Sequence, residues 1–216
     1  DAEIITVGEM SSTTMENCYQ YANEDGKELS MVFSFHHLKV DFMGNEKWVI
    51  VPFDFQKLKK TLFDWQVNMG KHHAWNAVFW CNHDQPRVVS RFGNVEKYWK
   101  ESAKMLGTVI HCLRGTPYIY QGEELGMTNA GFTDISQYKD VESLNHFRIL
   151  QEKGLTKENA YQILQIHSRD NSRTPMQWTS GENGGFTTGR PWIEVNKNCS
   201  YINAEAELQD EDSIFH

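Results

Sequence analysis

Four apolar runs, at 3–8, 30–35, 76–81 and 117–121, each give way at their C-terminal side to ionisable or amide residues, and stretches with helical periodicity separate them. Short, near-continuous apolar runs read as strands buried on both faces. Strands that alternate with helices in this way read as βα units on a parallel sheet. Thr13 followed by Glu16 has the spacing of a capping box, with Met15, Cys18, Tyr19 and Ala22 on one face of the helix it would open. A second helix is expected after Asp54 as N-cap, with a stripe of Phe55, Leu58, Leu62 and Trp65. A third is expected over 96–113, burying Ala103, Leu106, Ile110 and Leu113.

Residues 1–126 therefore read as βα units. Residues 127–216 read as a helical and loop insertion after the last strand, with helices over 141–151 and 156–167 and a Gly-, Asn- and Thr-rich stretch over 171–203. Four strands leave two open edges and an unfilled interior, so the pattern implies part of a (β/α)8 barrel. An open doubly wound sheet fits less well, because no Gly-rich phosphate turn follows any strand. Exposed apolar residues at the edges and interior, among them Ile5, Val7, Val32, Phe33, Val78, Phe79, Tyr118 and Ile119, would drive the fragment to self-associate through its open barrel edges. The opening residues already read as a strand, so the chain is expected to begin in mid-protein.

The net charge of −8 over 216 residues offers no clustered Lys/Arg for a nucleic acid or a membrane surface, and neither is expected as a partner. No apolar stretch approaches the roughly 20 residues that span a bilayer, and no secretory leader pattern opens the chain, so a cytoplasmic location is expected. Cys18, Cys81, Cys112 and Cys199 are widely spaced with no CxxC pairing, and no metal or cofactor is expected.

The polar strand ends read Gly8-Glu9-Met10, His36-His37-Leu38-Lys39, Asn82-His83-Asp84-Gln85 and Gln121-Gly122-Glu123-Glu124. Barrel enzymes build their sites at strand C-termini, and Glu9 and Asp84 are the natural carboxylate pair for glycoside hydrolysis. The segments 5–10 and 79–87 resemble strand motifs of the α-amylase superfamily; 115–126 is similar to another, and 169–178 to a loop of its oligo-1,6-glucosidase-like branch. This resemblance implies that the four strands are the fifth to eighth of the barrel. It implies Glu9 as general acid/base and Asp84 as the carboxylate that binds sugar hydroxyls and stabilises the transition state. It further implies His83 and Arg169 as substrate contacts, with Gln121, Glu124 and Arg173 as further ones. The aspartate nucleophile of the family sits in a motif close to G-F-R-x-D, which is absent here.

Within the branch, Phe33-Ser34-Phe35-His36-His37-Leu38-Lys39 and Gly8-Glu9-Met10-Ser11-Ser12 look like the trehalose-6-phosphate hydrolases. The resemblance implies a phosphorylated disaccharide substrate, with Lys39 beside His37 supplying compact positive charge for the phosphate. An oligo-1,6-glucosidase or other α-glucosidase is the alternative within the fold. A non-catalytic carbohydrate-binding or transporter-associated domain is the alternative of another class.

Overall fold

The computed structural model describes residues 4–25 and 28–216. The chain divides into two compact units. One holds residues up to 47 with 51–80 and 109–118; the other holds 48–50, 81–108 and 119–216.

The first unit carries the sheet. Strands β1 (Val7–Met10), β2 (Met31–Ser34), β3 (Asn76–Phe79) and β4 (Thr116–Tyr118) pair in sequence order, all parallel. Glu9 is in register with Phe33, and Phe33 with Ala77. Partners across a parallel ladder share a face, so Glu9 stands on the face where the Phe33 ring meets Phe79 and Tyr118 edge-on, at centroid distances of 5.0 and 4.8 Å. The opposite face is covered: Val32 packs with Trp65 and Met69 of helix α2 (Phe55–Lys71) and with Cys18 of the short helix α1 (Met15–Cys18). Gly115, at φ 153°, opens β4; a Cβ there would lie 2.7 Å from the Asn76 carbonyl oxygen, so only glycine lets the two strands approach.

Several boundaries differ from the sequence reading. The first strand starts at Val7, where pairing with Met31 begins, and residue 3 of its expected span lies outside the described residues. Thr14, not Thr13, caps α1, with no side-chain cap bond, so the capping box does not form. Asp54 does cap α2, accepting a bond from the Lys57 N–H at 3.0 Å. The buried stripe of α2 is Leu58, Trp65 and Met69, while Phe55 is exposed. Of the residues expected on open barrel surfaces, Ile5, Val7, Tyr118 and Ile119 are exposed, but Val32, Val78 and Phe79 are buried by helices and neighbouring rings.

The second unit holds α3 (Val88–Phe92), most of α4 (Trp99–Cys112), α5 (Val141–Glu152), α6 (Lys157–His167) and α7 (Ala204–Gln209). Its main core joins Trp48, Phe147, Leu150, Ile163, Leu164 and Ile193. Asp140 caps α5 through Ser143 N–H at 3.0 Å, and Thr156 caps α6 through Asn159 N–H at 3.2 Å. The short α3 escapes sequence reading, because five residues between Arg87 and Gly93 are too few to show a period.

Four parallel strands in the order 1-2-3-4 match any four consecutive strands of a closed barrel, since every βα unit there pairs alike. The assignment to the fifth through eighth positions is therefore not carried by the sheet; what it carries is a parallel α/β architecture.

Candidate active site

Glu9 is the third residue of β1, exposed on the aromatic face. One residue past the strand, the Ser11 carbonyl accepts a 2.7 Å hydrogen bond from the Lys39 ammonium. Lys39 thus spans from the 3-10 turn His36–Lys39 after β2 to the segment after β1. Since an ammonium has three donors, one bond to a carbonyl leaves capacity for an anionic ligand. His36, one of the two histidines of the turn, has its pKa lowered by burial and by the charge of Lys39.

His37 lies in the same turn. It is buried, its ring edge-on to Phe79 and Trp80, and its Nε2 lies 2.8 Å from the Phe79 carbonyl oxygen. In this position it braces the turn that carries Lys39.

Asp84 sits in the loop that follows β3, in the second unit. Its backbone N–H donates to Asn82 Oδ1 at 2.8 Å, closing an Asx turn that presents the carboxylate. Two guanidinium groups meet on one of its oxygens: Arg173 donates to Oδ1 at 2.7 Å and Arg169 at 3.1 Å. Oδ2 is left facing His83, whose Nε2 is 3.6 Å away. Arg173 also donates from Nε to the His83 carbonyl at 2.8 Å.

The arginines are held from behind. Arg169 pairs with Glu142 through NH2, and Nε lies 3.5 Å from Asp140 Oδ1 without hydrogen-bond geometry; Arg173 NH1 lies 3.6 Å from the same oxygen. Trp48 Nε1 donates to the other Glu142 oxygen at 3.3 Å. Buried Asp170 accepts bonds from the Lys139 and Asp140 backbone N–H groups at 2.7 and 2.9 Å, which aims the Asp140 carboxylate. Burial works to lower the Arg169 pKa, but hydrogen bonding to Glu142 and the charges of Asp140, Glu142 and Asp84 more than offset it and raise it. Three carboxylates around two guanidiniums thus fix a half-exposed Asp84 with one oxygen still open to a hydroxylated ligand.

Gln121 and Glu124 follow β4. Gln121 is exposed, and its carbonyl accepts a 2.6 Å bond from Arg87. Glu123, between them, has its pKa pushed up to about 7 by burial, against the pull of the Tyr120 and Cys81 backbone N–H groups and the Arg87 charge, with Glu124 adding to the rise. A carboxyl whose folded pKa exceeds its unfolded value contributes stability that is complete below the unfolded pKa and is lost as pH rises through the folded one. Between about pH 4.5 and 7, the unfolding free energy of wild type should therefore fall relative to Glu123→Gln by up to about 1.4 kcal/mol per pH unit. Urea unfolding of both proteins across that range checks this, and parallel curves would contradict it.

Sequence reasoning missed Asp140, Glu142 and Arg87 as parts of this arrangement. Arg87 lay within a quoted motif, whereas Asp140 was visible only as the residue before a helix. Among the described residues, no group of three or more His, Cys, Asp or Glu is placed to hold a metal ion. No described helix is long and apolar enough to cross a membrane.

A parallel βα sheet with carboxylates at and beyond its strand ends is the setting of glycoside hydrolase chemistry, and the whole chain, residues 1–216, matches the α-amylase catalytic domain; it belongs to that family. It is 62 % identical to the trehalose-6-phosphate hydrolase of Bacillus subtilis (strain 168), over 98 % of this chain and 38 % of that protein. The oligo-1,6-glucosidase of Bacillus cereus is 50 % identical over 99 % of this chain, again 38 % of the relative. Among solved structures, the trehalose-6-phosphate hydrolase of Bacillus licheniformis superposes with a TM-score of 0.95 at 62 % identity, covering 98 % of this chain and 38 % of that one. The chain thus spans 38 % of the length of these relatives.

Proposed function

We propose that this stretch supplies the general acid/base and a substrate-binding carboxylate to a longer retaining α-glucoside hydrolase, whose substrate is α,α-trehalose 6-phosphate and whose products are glucose and glucose 6-phosphate. Glu9 protonates the bridging oxygen as the glycosidic bond breaks, then takes a proton from the water that releases the enzyme-bound sugar. Asp84 binds sugar hydroxyls through Oδ2 and stabilises the positive charge that develops on the ring. His83, Arg169, Arg173, Gln121 and Glu124 contribute further substrate contacts. The covalent step needs a carboxylate nucleophile, which on this reading is supplied by chain beyond these residues, so the stretch alone hydrolyses nothing.

The observation that carries the reading is the convergence of Arg169 and Arg173 on a single oxygen of Asp84, which holds that carboxylate in place and leaves its second oxygen available. The phosphorylated substrate is supported by the position of Lys39, whose ammonium reaches the segment just after Glu9. Replacing Lys39 by Ala in the full-length protein should lower kcat/KM for trehalose 6-phosphate by roughly 10- to 150-fold, the size of one charge-assisted contact, with little effect on a neutral aryl α-glucoside. An equal loss on both substrates would mean that Lys39 anchors Ser11 and does not read the phosphate, whereas a wild-type preference for isomaltose would favour the oligo-1,6-glucosidase reading that the Bacillus cereus relative keeps open.

A further inference from the structure

Arg87 is 1 % exposed, yet its guanidinium reaches three backbone carbonyls: Gln121 from NH1 at 2.6 Å, Asn171 from Nε at 3.3 Å and Ser172 from NH2 at 3.3 Å. Its ring neighbour Tyr120, 5.4 Å from the guanidinium carbon, donates its own hydroxyl to the Ser172 carbonyl at 3.1 Å. On the main chain, the Arg87 N–H donates to Asn129 Oδ1 at 2.9 Å. Gly122, at φ 83°, admits this packing: a Cβ there would fall 2.2 Å from Met127 Sδ and 3.1 Å from Arg87 NH1.

A buried guanidinium loses its hydration, which here lowers the Arg87 pKa, and directed bonds to three carbonyls are what meet that cost. Such a costly group is most easily understood by what it fixes. Asn171 and Ser172 lie between Arg169 and Arg173, the two residues that grip Asp84, and Asp84 itself lies just before Arg87 in the chain. The contacts close a ring: from Asp84 across to Arg169 and Arg173, along 171–172, back through the Arg87 guanidinium, and along the main chain to Asp84.

We infer that Arg87 is a positioning residue for Asp84, setting the placement of the 169–173 segment and hence of both guanidiniums on the carboxylate. The inference rests on the function proposed for Asp84. Lysine keeps the charge but has one donor centre in place of a planar fork, so it cannot reach three carbonyls at once.

The test is a double-mutant cycle on the full-length protein, with an activated aryl α-glucoside that leaves Asp84→Asn measurable. In the wild-type background, Arg87→Lys should lower kcat by roughly 10-fold or more with KM nearly unchanged, and in the Asp84→Asn background by less than about 3-fold, because positioning matters only when the carboxylate is there to be positioned. Equal losses in both backgrounds would overturn the inference. Tyr120→Phe cuts one bond of the same ring and should show the same coupling at a few-fold scale; if Arg87→Lys does not fold, additive behaviour of Tyr120→Phe overturns the inference instead. Absence of any α-glucosidase activity in wild type would be a different failure, that of the proposed function.

Discussion

Replacing Glu9 by Gln in the full-length protein should lower kcat on trehalose 6-phosphate by about 10²- to 10⁴-fold, the range that a positioned general acid contributes. The amide keeps the shape of the side chain and its place opposite Phe33, but has no acidic proton to transfer to the bridging oxygen. Glu9 is exposed on a strand whose pairing is entirely backbone, so the fold should not suffer. The loss should depend on the leaving group: a sugar needs protonation to depart, whereas a nitrophenolate does not. Initial rates on trehalose 6-phosphate and on a dinitrophenyl α-glucoside check this together. A variant within 3-fold of wild type on the disaccharide would remove Glu9 from the chemistry.

Asp84→Asn should cost about 10²- to 10³-fold in kcat/KM, the scale set by losing one preorganised electrostatic contact to the transition state. The same change leaves Arg173 without its 2.7 Å carboxylate partner, while Arg169 retains Glu142 and Asp140. Because Asp84 is 39 % exposed, solvent screens the lost pairs and the stability change should stay within about 1 kcal/mol. Rates and urea unfolding on one preparation separate the two effects. Near-wild-type activity with a large fall in stability would make the Asp84 cluster a structural ion network.

The βα rhythm was legible because strands of a parallel sheet are covered on both faces and so read as unbroken apolar runs. The polar strand ends were equally plain. Strand limits were less so, since pairing with a neighbour decides them: β1 begins at Val7 because Met31 lies opposite. Residue exposure was misjudged at Val32, which helix α2 covers through Trp65 and Met69. His37 and Lys39 looked alike as polar residues after a strand, yet one is locked under Phe79 and the other reaches Ser11. No local pattern distinguishes them, because the turn His36–Lys39 sets their directions. The network around Asp84 was half visible: its arginines stood in a recognisable loop, but ion pairs that join residues 85 and 89 positions apart have no signature in spacing. Asp140 and Glu142 were hidden for the same reason.

The most direct measurement is a proton NMR time course of the full-length protein with trehalose 6-phosphate, and with isomaltose in a parallel tube. Hydrolysis by a retaining route should release glucose and glucose 6-phosphate in equal amounts, with the α anomer appearing first at the cleaved centre, and isomaltose should react far more slowly. Rapid cleavage of isomaltose with trehalose 6-phosphate left intact would contradict the proposed substrate, and the β anomer appearing first would contradict the retaining mechanism.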